Sequence, residues 1–307
     1  MELRHLRYFV AVAEEGSLTN AAERRLHTAQ PSLSRQIRDL ELEVGVKLLE
    51  RGARGIELTA AGRVFLDYAR LALLQVEAAG EAARRAAQPE KAVFVVGFLT
   101  GQELVWLPEV LRILREEDAA IEITIASQSS PELAGGLMRG KVDVAFLRRE
   151  AQAPGLAFKH LIKEPLVAVM PSGHRLAARK HINPKDLVAE TYIAPIRVAP
   201  ALKAVIEAYA AKSGITLQPA YDAENVSSVI SLVTSMGGIT LLPLYVRNML
   251  PSSVVIRPLQ SEAPTIDLMM GYSRSNTSPL LKRFLSRTDE LVARFLRQGS
   301  LDIPGTK

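Results

Sequence analysis

Residues 17–40 read SLTNAAERRLHTAQPSLSRQIRDL, and their apolar spacing decides how the amino-terminal part of the chain folds. Leu18, Ala22 and Leu26 recur at four-residue steps. Leu33, Ile37, Leu40 and Val44 follow at steps of four, three and four, so the segment predicts two short helices around a tight turn. At about 100° per residue the second set forms a single stripe. Pro31, Arg35 and Arg38 then fall on the opposite face, with Thr28 and Ser34 at its edges. A helix buried on one side that offers Arg, Ser and Gln to solvent fits a DNA major groove, where base edges display their donors and acceptors. Two arginines on a helix are more often a plain solvated face, so the flanking segments must decide.

Before this pair, residues 3–14 form a helix with Leu3, Leu6, Val10 and Ala13 on its buried side. After it, GVKLLER and IELT flank Gly52-Ala53-Arg54-Gly55, two extended pieces around a turn that make a β-hairpin or wing. Arg51 and Arg54 there are placed to meet phosphate or the minor groove. Residues 60–88 read as one long helix. Val64, Tyr68, Leu71, Gln75, Ala78 and Ala82 alternate by four and three, the spacing of a helix packed along a partner helix. A helix lying on its own domain reads almost the same way. Pro89 ends it, and residues 89–92 are the expected hinge.

From Val93 the pattern changes. VFVVGFL, IEITIAS and VDVAFL alternate with helices over Leu104–Glu117 and Pro131–Arg139, which is a parallel α/β unit. LVAVMPSGH crosses into a second lobe, where YIAPI, Ala201–Lys212, LQPAYD, Val226–Met236 and GITLLP repeat the theme. A strand near Ile266–Tyr272 returns to the first lobe, and a final helix runs from about Pro279 to Arg297. Lobe I thus covers about 93–162 and 266–300, and lobe II about 163–265, within an effector-binding domain of 93–307. Their strand ends face a cleft. Thr100-Gly101-Gln102-Glu103 fits a capping box, and Ser130 an N-cap before Pro131. Ala199-Pro200 opens a third helix, and Asn225 is placed to cap a fourth. Helix N-termini gathered at one cleft suit a carboxylate, with Arg148 and Arg197 adding charge-assisted bonds. Most caps bind nothing, so the case rests on their clustering.

The composition of the 307 residues, 48% hydrophobic and 23% charged, is that of a soluble globular protein. No apolar run has transmembrane length, and the first residues make a poor signal peptide, so a cytoplasmic location without membrane contact is expected. With no cysteine there are no disulfides, thiolate metal sites or iron–sulfur clusters. The net charge of +5 is a weak pointer, because residues 1–90 hold 13 Lys/Arg against 13 Asp/Glu. Any DNA footprint must come from local clusters, Arg24, Arg25, Arg35 and Arg38 in one place and Arg51 and Arg54 in another. Gly135, Gly140 and Lys141 mimic a phosphate loop, but Val142 stands where Ser or Thr should hold magnesium and the segment lies between a helix and a strand in the wrong order. His5, His27, His160, His174 and His181 lack metal-ligand spacing. No cofactor and no enzymatic activity are expected.

In its order of parts the chain resembles the LysR-type transcriptional regulators over nearly its whole length. The resemblance is carried by LRHLRYFVAVAEEGS, AQPSLSRQIRDLE, LLER…G…LTAAG, DLVAE and GGITLLP. HTAQPSLSRQIRDLE and LLERGARG are most similar to the benzoate- and muconate-responsive branch. The resemblance implies a winged helix-turn-helix over 1–59, a linker helix over 60–88 that dimerises, and a two-lobed α/β effector domain like that of periplasmic binding proteins. It implies promoter or operator DNA as partner, self-association to a dimer or tetramer, RNA polymerase as a further partner, and a small aromatic or dicarboxylic acid as effector. It places Gln30, Pro31, Ser32, Ser34 and Arg35 at the DNA-reading end, with Thr28 and Arg38 beside them and Arg51 and Arg54 in the wing. It places Thr100, Gly101, Ser129, Ser130, Arg148, Ile196, Arg197 and Asn225 around the effector cleft. One departure is visible: the family has two residues between its paired alanines and the next leucine, whereas Glu23-Arg24-Arg25 separate Ala22 from Leu26. A slightly longer helix is the expected consequence. A two-lobed solute-binding protein without DNA function is the alternative, and an enzyme a more distant one.

Overall fold

Phe9, in the middle of α1 (Leu3–Glu15), is fully buried and organises the amino-terminal unit. It meets Phe65 edge-on with centroids 5.1 Å apart, and Leu6, Val10, Ala21, Leu33, Leu40 and Leu48 complete this core. Leu3, expected on the buried side, is exposed, because the stripe is turned towards Phe9 and Val12. The computed structural model describes residues 1–52, 55–87, 93–150, 153, 155–194, 199–223, 225–260 and 263–297. The chain divides into two compact units, Met1–Ala86 and Ala87–Lys307.

Ser17 caps α2 (Leu18–Asn20), its hydroxyl accepting from the Asn20 N–H. The chain then enters a π-helical turn over Ala21–Leu26 instead of the longer α-helix expected. A π-turn holds one residue more than an α-turn, so it absorbs the extra residue locally. The His27 N–H closes on the Ala22 carbonyl, Ala21 and Ala22 stay fully buried, and Leu26 returns to the edge of the core. His27 ends the turn at φ 47°, in the left-handed region. Helix α3 (Gln30–Val44) follows, burying Leu33, Ile37 and Leu40.

Strands β1 (Leu49–Gly52) and β2 (Gly55–Leu58) pair antiparallel as the wing. Glu41 on α3 holds the turn into it: Oε1 accepts from the Leu48 and Leu49 N–H groups at 2.9 and 3.1 Å, and Oε2 from Lys47 Nζ at 2.6 Å. Burial opposes ionisation of this carboxyl, but the ammonium and the two N–H groups outweigh it and hold it below its ordinary range. The long helix α4 (Ala60–Ala86) lies so close to β1 that a Cβ on Gly62 would overlap the Leu48 carbonyl oxygen. Leu66 and Ala69 face the core, and Glu14 ties α4 and the π-turn to α1 through Arg70 and Arg25, both at 2.5 Å.

The second unit is built on β3 (Val93–Leu99), parallel to β4 (Glu122–Gln128) and β5 (Val144–Leu147). Phe94, Val96 and Phe98 alternate onto one face, where α5 (Glu103–Glu117), α9 (Pro279–Ser286) and α10 (Thr288–Arg297) cover them. Helix α6 (Ser130–Met138) covers the other face. The predicted last helix is therefore two, divided at Arg287. Strand β6 (Leu156–Pro171) spans both lobes. Its first part pairs with β11 (Thr265–Ser273), and its last part lies between β9 (Thr240–Pro243) and β10 (Val254–Pro258). The first part of β6 and all of β10 are absent from the sequence reading: Lys159 and His160 interrupt one apolar run, and β10 is a short edge strand ending in Pro258. The second lobe adds β7 (Tyr192–Ala194), β8 (Pro219–Asp222), α7 (Pro200–Lys212) and α8 (Val226–Met236) around its own core.

Candidate functional site

On the amino-terminal unit, Gln30, Pro31, Ser32, Arg35 and Arg38 are exposed along one face of α3, and Thr28 and Ser34 are half-buried beside them. Arg35 is 79% exposed and pairs with Asp39 at 4.0 Å, one turn on. Ala29 caps α3 without a side-chain bond, so the first-turn N–H groups stay open to an anion such as a phosphate. Arg51 is exposed on β1, while Arg54 lies outside the described residues. The expected Arg24–Arg25 cluster is broken up, because Arg25 is drawn to Glu14. On α4, Val64 and Tyr68 of the expected partner-facing stripe are 60% and 69% exposed, opposite Leu66 and Ala69.

The second unit holds a cavity of about 860 Å³ between its lobes, within the range of small-ligand pockets. The carboxyl ends of β3, β4 and β5 open into it, as do the N-termini of α6, α7 and α8. Thr100, Ser129, Ser130, Arg148 and Asn225 all line it, whereas Ile196 and Arg197 lie outside the described residues. Gly101 does not line it: at φ +92° any Cβ added there would overlap Met249 Sδ, so the glycine lets the lobes pack closely there.

Three expected roles change. Thr100 does not begin a capping box; Gln102 is the N-cap of α5, and Glu103 accepts from the Gly101 N–H at 2.8 Å and the Ser127 hydroxyl at 3.0 Å. Ser129, not Ser130, caps α6, in a capping box with Glu132. Its hydroxyl and N–H hold the Glu132 carboxyl below its ordinary range. Ser130 is buried, and its hydroxyl accepts from the Arg148 N–H at 2.9 Å. Arg148 is no free cation. Its guanidinium is buried against Glu164, itself 1% exposed, and also reaches the Ile266 carbonyl at 3.4 Å. Gln102 donates to Glu164 Oε2 at 3.1 Å and accepts from Trp106 Nε1 at 3.0 Å. Above this chain the Tyr245 hydroxyl donates to the Thr100 carbonyl at 3.2 Å, and burial pushes the phenol up against the opposing charge of Arg148. Glu164 and Gln102 escape sequence reading because nothing local marks a buried carboxylate within an apolar strand.

Ser130→Ala leaves the Arg148 N–H unpaired and buried, a loss of about 1–3 kcal/mol. A lower unfolding midpoint in urea with an unchanged slope is the expected result; an unchanged midpoint contradicts the assignment.

A winged helix-turn-helix joined to an α/β fold with an interlobe cavity defines a ligand-controlled DNA-binding regulator. Residues 3–63 match the bacterial regulatory helix-turn-helix protein of the lysR family, and residues 87–293 match the LysR substrate binding domain. The chain belongs to the LysR family of transcriptional regulators. The Hca operon transcriptional activator HcaR of Escherichia coli (strain K12) is 38% identical, with 95% of this chain and 99% of that protein covered. The regulator AlsR of Bacillus subtilis (strain 168) is 34% identical, with 93% and 94% covered. Full-length CbnR complexed with its target DNA is 27% identical, with 95% of this chain and 100% of that one covered, at a TM-score of 0.56. Full-length BenM is 26% identical, with 99% of both chains covered, at a TM-score of 0.57. These relatives are named as regulators and activators, and the family is non-enzymatic.

Proposed function

We propose that this regulator is governed by a small aromatic or dicarboxylic acid held in the interlobe cavity. The observation that carries it is the convergence of three helix N-termini, those of α6, α7 and α8, on one cavity of ligand size. The partial positive charge of these ends, and the first-turn N–H groups that the Ser129 and Asn225 caps leave open, suit a carboxylate. Thr100, Ser129, Ser130 and Asn225 supply the polar lining, and Arg148, already neutralised by Glu164, contributes shape and one face of its guanidinium. A ligand that prefers one arrangement of the lobes shifts their equilibrium only as far as that preference reaches.

On the DNA side, Gln30, Pro31, Ser32, Ser34 and Arg35 read the operator, and Thr28, Arg38, Arg51 and Arg54 hold register on its backbone. The exposed Val64–Tyr68 stripe of α4 supports self-association, to a dimer or a tetramer, and RNA polymerase is a further partner of the proposal. No helix among the described residues is long and apolar enough to cross a membrane, in keeping with a cytoplasmic protein. A thermal-shift panel of aromatic and dicarboxylic acids on the full chain tests the effector reading, since a ligand that binds the folded state stabilises it by an amount that grows with the logarithm of its concentration over its Kd. A rise in midpoint with at least one acid is expected; a silent panel overturns it.

A further inference from the structure

Among the described carboxylates that line the cavity, Glu150 is engaged by neither a helix cap nor the buried ion pair. Glu150, just past the end of β5, lines it half-buried, and its Oε1 atom is shut off from solvent without a hydrogen-bond partner. The cations on its own segment are turned elsewhere: Arg148 faces Glu164, and the Arg149 guanidinium lies 5.6 Å from the centre of the Phe158 ring. Glu132, the other carboxylate of the lining, is held in the Ser129 capping box. No group of three His, Asp or Glu among the described residues gathers to hold a metal ion.

A ligand that fills this cavity displaces the water that reaches the other oxygen of the carboxylate, Oε2, and must then replace its hydrogen bond or leave the acceptor unmet. We propose that Glu150 is the specificity residue of the cavity and accepts a hydrogen bond from a hydroxyl or amino group on the effector. The effector is then a hydroxylated or aminated acid rather than the bare acid. Charge sorts the two ends. A carboxylate next to Glu150 is repelled, so the acid group lies towards the N-termini of α6, α7 and α8 and the donor points towards Glu150. Burial pushes the Glu150 carboxyl up, and no cation among the described residues pairs with it. The inference rests on the cavity being the effector site.

Isothermal titration of the full chain with benzoate, cinnamate and their monohydroxy and monoamino derivatives tests it, on the wild type, Glu150→Gln and Glu150→Leu. At least one derivative should bind the wild type about tenfold or more tightly than its parent, since a site built to meet a polar group rejects the analogue lacking it. Glu150→Gln keeps an acceptor oxygen and should retain that preference. Glu150→Leu should lose most of it, with the parent acid bound more tightly than by the wild type, because the carboxylate that repels it is gone. A preference that survives in Glu150→Leu, or parents that bind the wild type as tightly as every derivative, overturns the role of Glu150 and leaves the cavity reading standing. Ala201→Trp, which fills the cavity wall, separates the two: it should weaken binding of every acid, whereas parent binding undiminished in that variant, or no binding of any acid to the wild type, overturns the cavity reading and this inference with it.

Discussion

Arg35→Ala removes site-selective DNA binding and leaves the fold intact. The side chain is 79% exposed, and its contact with Asp39, at 4.0 Å, is a surface pair one helical turn apart. Such pairs contribute about 0–1 kcal/mol, so its loss does not unfold the unit. Leu33, Ile37 and Leu40 on the opposite side of α3 keep the helix seated. What disappears is a fork of donors matched to guanine, which gives about 1–3 kcal/mol of discrimination, roughly 5- to 150-fold for each head on the DNA. Quantitative footprinting on a promoter fragment, with circular dichroism to verify folding, makes the measurement. Arg38→Ala is the contrast: removing a phosphate-facing charge there weakens binding to all sequences alike and lowers the salt dependence by about one counterion. An Arg35→Ala protein with the wild-type footprint contradicts the assignment of α3 as the reading helix.

The exposed face of α3 was legible because the information is local. The steps joining Leu33, Ile37 and Leu40 define the buried side of α3, and the exposed side follows by subtraction. The π-turn was half legible. The surplus residue between Ala22 and Leu26 is plain in the sequence, but spacing does not say whether it lengthens the helix or bulges it. Burial decides, since both alanines and Leu26 stay packed on the core only if the turn widens. In the cavity, Ser129 and Ser130 exchange their expected roles because two adjacent serines before a proline offer the same capping chemistry, and only the Arg148 N–H distinguishes them. Arg148 misled for a related reason. An arginine at a strand end invites an anionic ligand, yet its partner Glu164 comes from a strand sixteen positions on, which no local pattern reveals.

The largest loss of stability is expected at that partner. In Glu164→Ala the Arg148 guanidinium, whose side chain is 5% exposed, loses its counter-charge while most of it stays out of water. Breaking a buried pair from one side costs about 3–5 kcal/mol, because the remaining charge still bears its desolvation. For a unit of this size that lowers the midpoint by about 6–20 °C. Gln102 also loses its acceptor, and with it the tether of Trp106, whose ring stacks on Phe295 at 4.1 Å. The damage should therefore spread into the α5–α10 core. Replacing both charges, as in Arg148→Met with Glu164→Leu, removes the uncompensated ion and should recover most of the loss, since apolar pairs of similar volume often replace buried ion pairs at little cost. Calorimetry of the wild type, Arg148→Met, Glu164→Leu and the double variant closes the cycle, with Glu164→Ala measured beside it. A double variant no more stable than Glu164→Ala would transfer the role from charge to shape, with Gln102 and the stem of Arg148, not the ion pair, holding the base of the cavity together.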